Sequence, residues 1–319
     1  MLIEDVEYTR INTDEDNVSF KSFKTYLHYL KSLSILLNSI YMDKTRLVNF
    51  EERKNFKEYN FEKVKKLLFN AWNTEFLLNF SNNNFDLIRY SNHWLSIQAY
   101  YVIFLLGSCY FLLEEGHEKY KIIHKNFCDN ISEKLISDND FLPSPFNLFG
   151  LNGVERNNFN LKNLPNGHTF GLTSNLKEII TINDSWNLLG MFILTTRNNE
   201  FNYRRQKRLN KNKKKLKKGE RKEIINGMRR TTVFDCLYRI RIRSNYRDAD
   251  MFLSDIIDNN EANEFHCYLR NIVDYGAIIF ENKIIQILGF EKFKEIFKEF
   301  NNKNKNNQII ERMKLYNKF

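Results

Sequence analysis

Apolar residues recur at three- and four-residue intervals through most of this chain, the spacing that lines them along one side of an α-helix. Tyr26, Leu27, Leu30, Leu33, Leu37 and Ile40 mark a helix over 17–41. Val64, Leu67, Leu68, Trp72, Phe76 and Leu77 mark another over 61–80, after a polar and charged stretch at 42–60. The segment 94–113, WLSIQAYYVIFLLGSCYFLL, has no charged residue in twenty positions, so it is apolar all round. Such a helix belongs in the centre of a large bundle; the alternative is a membrane span, for which its length suffices. Ser96, Gln98, Ser108 and three tyrosines within it, and the lack of a companion span, favour the core. Helical spacing resumes at 117–136, 183–206, from about Thr231 onward, at 259–288, and in shorter stretches near 290–301 and 307–317. Thr231 is a suitable N-cap for its helix.

Between 137 and about 180 the periodicity fails. All three prolines of the chain, Pro143, Pro145 and Pro165, fall here with Gly150, Gly153, Gly167 and many asparagines, which predicts a long irregular excursion. Loops of that length usually bind something or are partly mobile. Elsewhere the scarcity of proline and glycine and the 15% aromatic content predict an all-α protein with little sheet. Cys109, Cys128, Cys236 and Cys267 are far apart and form neither a disulfide framework nor a zinc knuckle, which suits a reducing cytoplasmic setting. The opening MLIEDVEYTR lacks the basic-then-apolar pattern of a leader. No HExxH, P-loop, GxGxxG or CxxC pair occurs, so no metal or other cofactor is expected.

Net charge is +10, but it is local. Residues 203–222, YRRQKRLNKNKKKLKKGERK, hold twelve Lys/Arg and one Glu, which leaves the remainder of the chain near −1. Arg204, Arg205, Lys207, Arg208, Lys213, Lys214, Lys215, Lys217 and Lys218 are therefore candidate phosphate contacts. Binding through them would weaken with salt by a log–log slope of roughly −0.7 to −0.9 per phosphate. An acidic protein partner and a solvated surface are the competing readings.

A second charge feature is the segment 229–252, RRTTVFDCLYRIRIRSNYRDADMF, with six arginines. On a helical wheel Asp235, Arg239, Arg243, Tyr246, Arg247 and Asp250 fall on one side, with Val233, Leu237, Ile240, Ser244 and Met251 opposite. Arg241 and Asp248 lie nearer the apolar side, as a buried ion pair would. The stripe is either a guanidinium site for phosphate or carboxylate or a structural helix laced with Asp/Arg pairs. His117 and His124 stand seven apart on one helical side with Lys121 between them, which makes His124 the best acid/base candidate.

Two separated segments resemble one known family. YYVIF at 100–104 followed by LLEEGHEKYKIIHKNF at 112–127, and LYRIRIRSNYRDADMF at 237–252 followed by NEANEFHCYLRNIVDYGAIIFENKI at 260–284, resemble consecutive helices of HEPN domains, with FEKVKKLLFNAWNTEFLL as the first helix. About half the chain is covered. The resemblance implies a HEPN-like helical bundle, commonly dimeric, of bacterial toxin–antitoxin or antiviral systems, many members being metal-independent endoribonucleases. The family's R-x(4–6)-H motif is absent; Arg89 and His93 are one residue too close.

The resulting expectation is a helical extension over 1–60, the two halves of the bundle at 61–136 and 231–319, and an irregular and basic insertion at 137–230. RNA is the expected ligand, with a homodimer or a partner defence protein. Arg243, Arg247 and His124 would carry metal-free cleavage, and Arg239, Asn245, Tyr246 and the strap cations would hold substrate. The alternatives are a non-catalytic binding module and, on the 94–113 segment, a single-span membrane effector.

Overall fold

The computed structural model describes residues 15–48, 59–80, 85–116, 120–138, 140–171, 181–209, 215–247, 251–252, 257–303 and 307–318. Within them the protein is all-α apart from one small sheet: ten α-helices and three short strands. The helices are α1 (Glu15–Ile40), α2 (Phe61–Phe80), α3 (Phe85–Glu115), α4 (His124–Ser137), α5 (Ile182–Arg208), α6 (Lys218–Asn226), α7 (Val233–Ile242), α8 (Asn259–Leu288), α9 (Phe290–Lys303) and α10 (Asn307–Tyr316). The strands are β1 (Phe149–Asn152), β2 (Phe159–Lys162) and β3 (Thr231–Thr232). The chain divides into two compact units, Met1–Leu36 with Ile131–Asp258, and Leu37–Asn130 with Asn259–Phe319.

The first unit gives the stretch around 140–171 a structure that hydrophobic periodicity does not encode. β1 pairs antiparallel with β2, Phe149 opposite Lys162 and Asn152 opposite Phe159, and with β3, Phe149 opposite Thr232. The turn between β1 and β2 needs Gly153, because a Cβ there would collide with the Asn158 backbone. Two capping boxes set the entries of the long helices. Thr181 Oγ1 accepts from Asp184 N at 3.1 Å and the Asp184 carboxylate accepts from Thr181 N, which starts α5. Thr232 and Asp235 do the same for α7, so the cap is one residue beyond Thr231. Thr231 is a strand residue instead. Phe146 stacks on Phe234 at 5.5 Å, and Tyr29 on Phe192 at 4.4 Å, filling this unit's core.

In the second unit α3 packs between α2 and α8. By length and composition α3 is apolar enough to cross a membrane, yet 83% of its most apolar window is buried inside the protein. Cys109 lies over the Val64 carbonyl of α2, and a Cβ at Gly276 of α8 would sit 3.1 Å from Ile103 of α3, closer than ordinary van der Waals contact. A Cβ at Gly107 would collide with the Phe127 ring, so that glycine lets α4 approach. Helix α3 begins at Phe85, nine residues before the uncharged run, whereas α4 begins only at His124 rather than at 117.

Candidate functional site

Among its described residues the basic strap is largely helical. Its first residues finish α5, residues 210–214 lie outside the described residues and with them Lys213 and Lys214, and its last residues open α6. Phe201 of α5, Ile224 and Met228 of the α6 region, and Val154 from the β1–β2 turn form a small apolar cluster that joins the two helices. Around it three strap arginines form surface ion pairs. Arg204 bonds Glu200 at 2.6 Å and the Gly227 carbonyl at 2.7 Å, Arg208 bonds Glu223 at 2.9 Å, and Arg221 pairs with Glu155 while lying over the Phe201 ring. Arg205, Lys207, Lys215, Lys217, Lys218 and Lys222 are exposed, and none makes a side-chain ion pair among the described residues. The strap thus sorts into arginines paired with carboxylates at the surface and exposed cations without a side-chain ion pair among the described residues.

A brace runs through Arg197, which the sequence reading passed over. It is 2% exposed, yet its Nε donates to Gly153 O at 3.0 Å and its Nη1 to Arg229 O at 2.7 Å, with longer bonds to Asn152 O and Thr231 Oγ1. Burial lowers its pKa to about 10, still high enough to keep the charge at neutral pH. One guanidinium fork therefore ties the β1–β2 turn to the entry of α7. The only sequence sign was an arginine inside an otherwise uncharged run, SWNLLGMFILTTR.

Helix α7 is buried on nearly every side. Arg239, expected on the anion-facing stripe, is 8% exposed and directed at α5: Nη1 donates to Thr195 Oγ1 at 2.8 Å and Thr196 Oγ1 at 3.3 Å. With its carbonyl turned to the guanidinium, the Asn199 amide accepts from Nε at 2.8 Å and Nη2 at 3.1 Å. Arg239 also lies over Tyr26 and Phe192. Asp235 pairs with Arg229 in a two-pronged contact rather than with Arg239. Arg243 is half-buried over the Tyr26 ring, and Arg241 is buried beside Tyr238. After Ile242 the helix widens into a π turn, Arg243–Arg247, a geometry that recurs at functional sites. Asn245 is half-buried in it; the side chains of Tyr246 and Arg247, and all of Asp248, lie outside the described residues.

His124 opens α4 in the second unit, whereas Arg243 and Arg247 belong to the first. Its Nδ1 is 3.1 Å from the Tyr100 hydroxyl and its Nε2 is 3.5 Å from that of Tyr101, while the Phe104 ring lies 4.3 Å from the imidazole. Neighbouring residues on one helix thus bracket both ring nitrogens. His266, by contrast, is fully buried with Nε2 against Leu78 O at 2.9 Å, and burial drives its pKa down to about 4. His168 contacts Asn183 on the surface at 3.3 Å.

No protein-family model, curated protein or solved structure matches this chain. The site has to be read from its own chemistry.

A second charged centre escaped the sequence reading. In the second unit Arg312 of α10, 3% exposed, bonds Glu75 of α2 and Glu281 of α8, each 1% exposed. Glu281 also accepts from Trp72 Nε1 at 2.8 Å and from the Tyr316 hydroxyl at 2.7 Å. Asp274 lies 3.6 Å from the same guanidinium and pairs with Lys44. Burial holds Glu75 above the usual carboxylate range. Arg312 loses stability to burial but is held well above its ordinary value by the two carboxylates. With no solvent access, this centre is a clamp for α10 rather than a reaction site. Among the described residues no group of three or more His, Cys, Asp or Glu could hold a metal ion.

Proposed function

We propose that the protein binds RNA through the α5–α6 hairpin, as a HEPN-like component of a bacterial toxin or antiviral system, alone, as a homodimer or with a partner protein. The observation that carries this reading is the pairing within the strap: Arg204, Arg208 and Arg221 are held by Glu200, Glu223 and Glu155, while Arg205, Lys207, Lys215, Lys217, Lys218 and Lys222 stand exposed and make no side-chain ion pair among the described residues. Exposed cations on a braced hairpin suit a phosphate backbone, whose binding releases counterions and needs no buried pocket. Six such contacts to a single strand predict a log–log salt slope of about −4. Fluorescence anisotropy with labelled RNA across a potassium chloride series checks it. A slope near zero, or no binding at low salt, overturns the proposal.

A second reading, metal-independent endoribonuclease activity, draws on His124. His124 would carry the proton, its imidazole oriented by the Tyr100 hydroxyl 3.1 Å from Nδ1. RNA cleavage that survives EDTA but is lost in His124→Ala is the expected result. RNA bound but uncut at high protein concentration would leave the binding module alone standing.

A further inference from the structure

The exposed side of the hairpin carries an aromatic as well as cations. Tyr203 is 47% exposed on α5, and Lys207, one turn further on, holds its ammonium 4.4 Å from the ring centroid. Phe201, Arg204 and Arg208 lie toward the opposite side of the helix, where they meet α6 and the turn that follows it. Tyr203 is therefore not part of the packing that forms the hairpin. A half-exposed phenol ring whose described contact is the Lys207 ammonium matches the needs of one ligand class.

We infer that the hairpin takes single-stranded rather than double-stranded RNA, with an unpaired base stacked on Tyr203 and the neighbouring phosphate held by Lys207. This rests on the RNA-binding reading and narrows its substrate. Charge alone does not choose between the two, since both forms present phosphates. An exposed ring does choose: bases in a duplex are stacked on one another and offer no face, whereas an unpaired base has a free π-surface for Tyr. The Lys207 ammonium does not block this. An exposed cation–π contact is worth only about two- to fivefold in an equilibrium, whereas a base stacked on an aromatic is worth about five- to 150-fold. The lysine can leave the ring for a phosphate at a net gain, so Tyr203 and Lys207 act as a pair that opens on binding.

The test compares the full-length protein with labelled single-stranded and duplex RNA of the same length, by anisotropy at several salt concentrations. Tyr203→Ala should weaken single-strand binding about tenfold without changing the salt slope, Tyr203→Phe should retain the affinity, and Tyr203→Trp should raise it. Duplex binding should be weaker and indifferent to all three. Lys207→Ala should reduce the slope by about 0.7, the signature of a lost phosphate contact. Circular dichroism melts check that each variant is folded, as expected for an exposed position. Single-strand affinity unaltered in folded Tyr203→Ala, or equal binding of duplex and single strand, overturns the inference while leaving RNA binding intact. Absence of binding to either form overturns both.

Discussion

Removing the Arg312 side chain should be among the most damaging single changes in the second unit. The guanidinium is 3% exposed and makes four hydrogen bonds to carboxylates: Nε and Nη2 to Glu281 at 2.9 Å each, Nη2 to Glu75 at 2.6 Å and Nη1 to Glu75 at 2.5 Å. Arg312→Met keeps most of the buried volume and deletes the charge, leaving two carboxylates in a site without water. Stripping one partner from a buried ion pair costs about 3–5 kcal/mol, and Glu281 keeps two other donors, Trp72 and Tyr316, which limits the loss to that range. The penalty should depend on pH. Glu75 already has a raised pKa from burial, so the folded state binds its proton more tightly than the unfolded chain does, and stability from this group falls as pH rises above its ordinary 4.5. Without Arg312 that pKa rises further, so the variant should lose less stability at pH 4.5 than at pH 7. Guanidinium denaturation followed by circular dichroism at the two pH values measures both effects. The variant Arg312→Met/Glu75→Leu/Glu281→Gln, which removes the charges together but keeps an acceptor for Trp72 and Tyr316, should recover most of the loss. A cost below about 1 kcal/mol for Arg312→Met, or no recovery in the triple variant, would refute the reasoning.

Three further outcomes follow from the same geometry. Arg197→Leu strands the Gly153, Asn152 and Arg229 carbonyls and should cost about 3 kcal/mol in urea unfolding, and Arg197→Lys should not rescue it, because an ammonium cannot span three acceptors in a planar fork. His266 is held neutral down to about pH 4 against an ordinary 6.5, so the unfolded state binds the proton first and stability is lost as pH falls from 6.5 toward 4, by at most about 3 kcal/mol. His266→Gln should flatten that acid limb, as read from melting temperature against pH. Lys217→Ala/Lys218→Ala/Lys222→Ala should reduce the RNA salt slope by about 2 while leaving the melting temperature within a degree or two, since these side chains are exposed and make no ion pair among the described residues; an unchanged slope would remove α6 from the interface.

Periodicity located the helices because a 3.6-residue repeat is a local property: 61–80 and 259–288 coincide with α2 and α8. It also identified 94–113 as apolar all round, a pattern that α3 satisfies by being covered within its unit. The strap stood out for the same reason, since charge density is read directly from composition. What each cation does was settled by partners far away in the chain. Among the described residues Arg208 is paired with a carboxylate and Lys207 is not because Glu223 comes back beside one and not the other, through the fold of α6 and its contact with Val154. The β1–β2–β3 sheet is four residues at its longest and holds register through Gly153 and Arg197, neither of which leaves a repeat in the sequence.

The amphipathic stripe on α7 shows the limit most clearly. A helical wheel places Arg239 opposite the apolar residues and so toward water, but a wheel knows nothing of a second polar surface. Thr195, Thr196 and Asn199 on α5 supply one, and Arg239 is buried against them. The Glu75–Arg312–Glu281 clamp joins Glu75 to residues more than two hundred positions away, and each of the three reads alone as an ordinary helix-surface charge. The sequence by itself determined the helices, the apolar core segment and the place where positive charge gathers. Only the tertiary structure decided which charges are buried or paired and which remain exposed, because burial and hydrogen-bond partnership depend on what the fold brings opposite each side chain.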